Sequence, residues 1–312
     1  MKLVSRHLAA RPLALAAVGV AAALALAGCG GSPLATQTTT GGSGSVVVGS
    51  ANFPESAAIA EIYAGALTAA GVTASTKLNI GAREVYVKAV EDGSIDVVPD
   101  YSGNLLGYLD PATTATDAAS VLADLPGKMP AGLGVLDAAQ AEDKDAMVVT
   151  QATADKYSLK SIADLAKVCD KLTLGAPPEF RTRTYGLPGL KAKYGCVPAK
   201  FTPIGDTSGP LTVKALVNNE IQVADIFTTT PAIADNHLVV LTDPKDNWLA
   251  QQVLPLVKTA RVSDAAKTAL DNVSKLLTTA DLIALNQEMG GSAKTSPKDA
   301  AAKWLKDKGI VK

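Results

Sequence analysis

The residues best suited to holding a small molecule in this chain are Tyr101 and Asn104, just past the short apolar run Ile95-Asp96-Val97-Val98-Pro99-Asp100. That run reads as a buried parallel strand, with Tyr101-Ser102-Gly103-Asn104 as a turn into a helix carrying Leu105, Leu106 and Leu109. In an open α/β sheet, ligands sit in the crevice outside the carboxyl ends of the strands. Tyr101 and Asn104 would then show a pocket an aromatic face beside an amide. The plainer reading makes Tyr101 a plug at a strand–helix junction. A second segment weighs against that plainer reading. Asp225-Ile226-Phe227-Thr228-Thr229 repeats the pattern of Pro99-Asp100-Tyr101-Ser102-Gly103, a strand end, a ring, then small polar residues. Two lobes with equivalent strand ends facing one another make a cleft, with Phe227 and Thr229 across from Tyr101.

Groups for bond-making chemistry are scarce. Beyond Cys29 there is one histidine, His237, inside an apolar run and read as structural. Zinc sites and Ser-His-Asp or Cys-His triads therefore lack their parts. No phosphate-binding Gly-rich loop, G-x-S-x-G elbow or Ser-x-x-Lys pair occurs. No cofactor and no metal is expected. Asp and Glu are plentiful, so an extracytoplasmic enzyme using cleft carboxylates stands as the alternative from a different class.

Composition sets the frame for these groups. The chain has 312 residues, room for two lobes, and 47% hydrophobic content, which excludes a disordered protein. Lys2, Arg6 and Arg11 precede the apolar stretch Leu13 to Ala27, the layout of a secretory signal over residues 1–28. Without those three, 26 of the 29 basic residues remain against 30 acidic ones, a net charge of −4 with no basic patch for nucleic acid. Leu26-Ala27-Gly28-Cys29 resembles a bacterial lipobox, which implies cleavage before Cys29, lipidation of its thiol and a membrane-tethered extracytoplasmic protein. The alternative is an uncleaved anchor. Residues 29–45 are rich in Gly, Ser and Thr and read as a flexible linker. Cys169 and Cys196 are a pair suited to a disulfide in an oxidising compartment, the alternative being two separate thiols.

The elements follow from periodicity. Val46 to Ser50 is a strand; Asn52 can cap a helix that starts near Pro54 and buries Ile59, Ile62, Ala66 and Leu67. Val72 to Leu78 is a strand, and Gly81 opens a helix bearing Val85, Ala89 and Val90. Tyr86 on it could reach cleft or core. Residues 112–145 read as helix plus connection. A second series starts at Ala146 to Thr150 and continues through strands at Leu172–Gly175, Phe201–Ile204 and Ile221–Phe227. Its helices fall at Leu187–Tyr194 and Pro210–Val217. His237 to Leu241 and Val253 to Val257 are strands, and the tail is helical, with Ser296 capping the last helix. The expected fold is α/β, two lobes each with a doubly wound sheet: 46–145 plus 241–312 as lobe 1, 146–240 as lobe 2, and two crossovers near 143–148 and 238–246 as the hinge.

Taken together these segments resemble the substrate-binding proteins of ABC importers for glycine betaine, choline and proline betaine. The match runs through Val46-Val47-Val48-Gly49-Ser50 with Phe53 and Glu55, and Gly93 to Gly103. It continues in Pro178-Glu179-Phe180 with Arg183, Gly186-Leu187-Pro188-Gly189-Leu190 and Tyr194-Gly195. The resemblance implies a type II periplasmic-binding-protein fold, a monomer that closes around a small ligand and delivers it to a permease served by an ATPase. It also implies an aromatic cage for a quaternary ammonium, by cation–π attraction, and an arginine fork for a carboxylate. Tyr101 and Phe227 match cage positions, and Arg183 matches the carboxylate-binding arginine. Asn104, Thr229, Asn52 and Phe53 complete the expected ligand-binding set. The sequence departs where a cage tyrosine becomes Ala146, a lysine becomes Ala51 and a threonine becomes Asn104. The last cage tyrosine lacks a counterpart, with Trp248 nearby in sequence. A larger, non-betaine polar or aromatic ligand is the alternative within the same fold.

Overall fold

Val46-Val47-Val48 and Val97-Val98 are short β-branched runs that sheets bury on both faces. They seed the first of two sheets in the computed structural model, which describes residues 45–290 and 294–312. The expectations for the signal peptide, Cys29 and nearly all of the linker lie outside the described residues. No helix among the described residues is long and apolar enough to cross a membrane.

The first half runs β1 (Val46–Ala51), α1 (Pro54–Ala69), β2 (Ala74–Gly81), α2 (Arg83–Asp92), β3 (Val97–Tyr101) and α3 (Ser102–Leu109), then α4 (Ala118–Asp124) and β4 (Leu133–Val135). The second runs β5 (Asp145–Thr150), α5 (Gln151–Tyr157), α6 (Ile162–Ala166), β6 (Thr173–Ala176), α7 (Leu187–Gly189), β7 (Lys200–Pro203), α8 (Pro210–Val217), β8 (Val223–Phe227), α9 (Ala232–Asp235) and β9 (Leu238–Val240). The chain then returns as β10 (Val253–Lys258), α10 (Asp264–Leu276), α11 (Thr279–Gly290) and α12 (Pro297–Asp307).

Sheet order is β2-β1-β3-β10-β4 in the first half and β7-β6-β8-β5-β9 in the second. Within each, the first three strands are parallel and the fourth is antiparallel, Val253 pairing with Tyr101 and Asp145 with Phe227. The repeat seen in sequence is thus a repeat in space. Tyr101 and Phe227 end the third strand of their sheets, each beside a strand that the crossovers bring in. Those crossovers, residues 136–144 and 241–252, touch through a bridge between Glu142 and Gln252.

α1 is buried around most of its circumference, which is what a helix apolar on every side requires. It lies between its sheet and α10, α11 and α12, and Gly65 marks the closest approach, since a Cβ there would meet Leu305 Cδ1 at 2.3 Å. The second core holds the Cys169–Cys196 disulfide among Ile162, Leu165 and Leu190.

Several local expectations are corrected. Asn52 does not cap α1; Phe53 stands at the cap position without a side-chain bond, and Asn52 is exposed. On α2, Val85 is 51% exposed while Tyr86, Val87 and Val90 are buried, because the helix lies on its sheet rotated by one residue. Ser102 to Asn104 is already helical, and residues 112–145 contain the edge strand β4. His237 precedes β9 instead of lying in it, exposed and in the left-handed region at φ 49°. Leu187 to Tyr194 is one α turn followed by a π-helical turn.

Candidate functional site

The strand ends of both sheets open into one cleft with a volume of about 470 Å³, open solvent at its mouth included. Asn52, Phe53, Tyr101 and Asn104 line it from the first sheet, with Tyr86 from α2. Arg183 and Tyr185, from the loop after β6, and Phe227 line it from the second. Phe53 stands between the other two rings, 6.1 Å from Tyr101 and 5.4 Å from Phe227 by centroids, the latter pair edge to face. Edge-to-face contact is favourable for aromatic pairs, and the three rings form one apolar cluster spanning both halves.

Around the rings lies a set of buried carboxylates. The Tyr101 hydroxyl donates to Glu55 Oε1 at 2.5 Å, and Thr229 Oγ1 and Asn286 Nδ2 donate to Glu55 Oε2 at 2.6 and 2.7 Å. Burial, reinforced by the Glu55 charge, pushes the Tyr101 hydroxyl well above its ordinary pKa, so it stays a neutral donor. Asp143 accepts from the Thr229 amide at 3.0 Å and the Thr228 hydroxyl at 3.2 Å. Its carboxyl is pushed up by burial first and by Glu55 second. Asp145 accepts from Asn104 Nδ2 at 2.7 Å and is also raised, by burial. Asp225, buried in the middle of β8, keeps Oδ1 without a hydrogen-bond partner, and burial with the neighbouring Asp145 charge raises it as well.

The two cations facing the cleft are engaged by acids of the chain. Arg83 Nη2 meets Asp100 Oδ1 at 2.7 Å with both side chains buried; burial opposes its charge, and Asp100 more than offsets that. Arg183 binds Glu84 with two parallel bonds of 3.1 Å and gives a third, of 2.7 Å, to the Tyr185 hydroxyl.

The structure thus brings six of the seven expected ligand-binding residues to the cleft wall, and Thr229 just behind it, holding Glu55. Ala51 lines the cleft, whereas Ala146 is buried in the second half's core. Trp248 is buried in the other core of that half, with its indole N–H unpartnered. Sequence reasoning passed over Arg83, Asp143, Asp145 and Tyr185. Asp143 and Asp145 had one available signal, three acids among the four residues Glu142-Asp143-Lys144-Asp145 where the crossover enters β5. Tyr185 had its place two residues after Arg183.

Two facing α/β sheets, a two-strand crossover and a ring-lined cleft between strand ends define a two-lobed solute-binding protein of the type II periplasmic class. The family described as the substrate binding domain of ABC-type glycine betaine transport systems matches residues 44–307, and this chain belongs to it. Among curated proteins it is similar to the glycine betaine-binding protein YehZ of Escherichia coli (strain K12), 26% identical over 280 residues, 86% of this chain and 92% of the relative. Among solved structures it resembles a glycine betaine/carnitine/choline ABC transporter, with TM-score 0.67, 22% identity, and coverage of 85% of this chain and 99% of that one. It also resembles an ABC-transporter choline-binding protein in complex with choline, with TM-score 0.63, 17% identity, and coverage of 86% and 89%. The protein is the solute-binding component of an ABC importer. It works outside the cytoplasm, with a permease and an ATPase as partners.

Proposed function

We propose that the cleft closes on a small quaternary ammonium osmoprotectant and hands it to the permease. The ring cluster Phe53–Tyr101–Phe227 carries this reading: it joins the two sheets, and buried carboxylates stand directly behind it. A methylated cation against such faces gains roughly 0.5–2 kcal/mol per ring when desolvated. Asn52, Asn104, Arg183 and Thr229 are the polar part of the same site. Residues 46–145 with 241–312 and residues 146–240 act as the two lobes, the paired crossovers as their hinge. Lipidation at Cys29, after removal of residues 1–28, tethers a monomer to the membrane beside its permease.

Calorimetry with choline, glycine betaine and carnitine tests the ligand class, and Tyr101→Ala lowers affinity at least about tenfold if its ring holds the cation. Full affinity in that variant removes Tyr101 from the site. One observation favours a longer ligand: a second hollow, lined by Tyr108, Thr182 and Thr184, adjoins the cleft through Arg83, Asn104, Arg183 and Tyr185. A larger polar compound in the calorimetry panel separates the two readings.

A further inference from the structure

Arg183 is the residue the family resemblance assigns to a ligand carboxylate, yet its fork is filled from within the chain. Nε and Nη2 meet the two oxygens of Glu84 at 3.1 Å each, the fork-to-fork geometry that a carboxylate guest would adopt. Nη1 gives its bond to Tyr185, and Glu179 stands 3.7 Å from Nη2. Glu84 is well placed for this task, in the first turn of α2 with its side chain 41% exposed, reaching across from the first half to the second. The other cation, Arg83, is neutralised by Asp100. Arg83 and Arg183 are the only Lys or Arg side chains among the residues described as lining the cleft and its adjoining hollow.

The acids outnumber them. Glu55, Asp143, Asp145 and Asp225 form no ion pair among the described residues; hydroxyls and amides hold the first three, and Asp225 Oδ1 has no hydrogen-bond partner. A zwitterion entering this cleft would bring its own carboxylate next to these groups. It would have to displace Glu84 from Arg183 or leave an anion desolvated and unpaired, which is costly. A monocation meets only the rings and the carboxylates. Discrimination by an unpaired charge against the wrong guest is a common basis of specificity.

We infer that the cleft selects quaternary ammonium monocations over zwitterionic betaines, with Glu84 occupying on Arg183 the place of a ligand carboxylate. This rests on the quaternary ammonium reading above. Choline and glycine betaine share one cationic head and differ in the tail, hydroxyl against carboxylate, so they are the probes.

Titration calorimetry on the full chain with both compounds is the test, in the wild type, in Glu84→Gln, which keeps the shape and loses the charge, and in Glu84→Ala, which frees the fork. The half-exposed position of Glu84 leaves the fold intact in both variants, and a melting curve checks it. The expected result is choline at least about tenfold tighter than glycine betaine in the wild type, and that ratio cut at least about tenfold in the variants through a gain for glycine betaine. Glycine betaine binding as tightly as choline in the wild type, or a ratio unchanged in both variants, overturns the inference and leaves the ligand class standing. Binding of neither compound overturns both.

Discussion

Among the buried acids beside the cleft, Asp225 is the one with the least to hold it. It is 1% exposed, one oxygen lacks a partner, and Asp145 and Asp143 add repulsion. Its carboxyl is raised well above the ordinary carboxylate range, by burial first. A carboxyl with a raised folded pKa adds stability that is complete below the unfolded value of about 3.9 and lost as pH climbs through the folded value. Asp225→Asn removes the ionisation while keeping the shape. The variant should therefore melt higher than the wild type at about pH 8, with the gain shrinking toward about pH 4. Scanning calorimetry at several pH values measures this; a variant equal to or less stable than the wild type at the alkaline end would show that the Asp225 charge is held by something stronger than its neighbours here. The residue scale also shows what sequence makes visible. An aromatic residue at the end of an apolar run, twice, marks Tyr101 and Phe227 because strand periodicity and ligand position are coupled in α/β sheets. Glu55 meeting Thr229, or Arg183 meeting Glu84, is a pairing 174 or 99 residues apart that no local spacing encodes.

At the scale of elements, apolar patterning locates most strands and helices, since burial sets their period. The edge strand β4 escapes it, since Leu133-Gly134-Val135 leaves too little pattern, whereas the equally short edge β9 shows in the apolar run Leu238 to Leu241. Strand direction escapes it too: β5 and β10 read as ordinary apolar runs, and only the crossovers make them antiparallel to β8 and β3. The Cys169–Cys196 bridge shows an element-scale device with a functional consequence. With a sequence separation of 27, it encloses β6 and the loop carrying Glu179, Arg183 and Tyr185. A loop of that length corresponds to about 3.5 kcal/mol in the chain-entropy treatment. Replacing both cysteines with alanine should lower unfolding free energy by roughly 2–4 kcal/mol and weaken ligand binding, because the loop that aims Arg183 loses its clamp. Denaturant titration and calorimetry on the same variant read the two effects; unchanged stability would remove the bridge from any structural role.

At the scale of the molecule, contacts made by the chain alone span the two halves. Glu84 meets Arg183 at the cleft mouth, Thr229 donates to Glu55 behind the rings, and Asn104 donates to Asp145 beside the hinge. The Asn104–Asp145 pair lies beside the crossovers, where rotation moves atoms little: Asp145 follows one crossover, and Asn104 is bonded to Gln251 of the other, next to the Glu142–Gln252 bridge. The Glu84–Arg183 and Thr229–Glu55 side-chain bonds join the two halves directly, so they bias the balance between open and closed forms. Ligand shifts such a balance only by its differential affinity for the two forms. Removing both contacts, as Glu84→Ala with Thr229→Ala, should open the molecule. Small-angle scattering should then give a larger radius of gyration than in the wild type, and saturating choline should restore the smaller value by joining Phe53 and Tyr101 to Phe227. Affinity should fall in step, because part of the binding free energy is consumed in closing. A radius equal to that of the wild type with and without choline would mean that closure depends on neither the two contacts nor the guest, and that the halves behave as one rigid body.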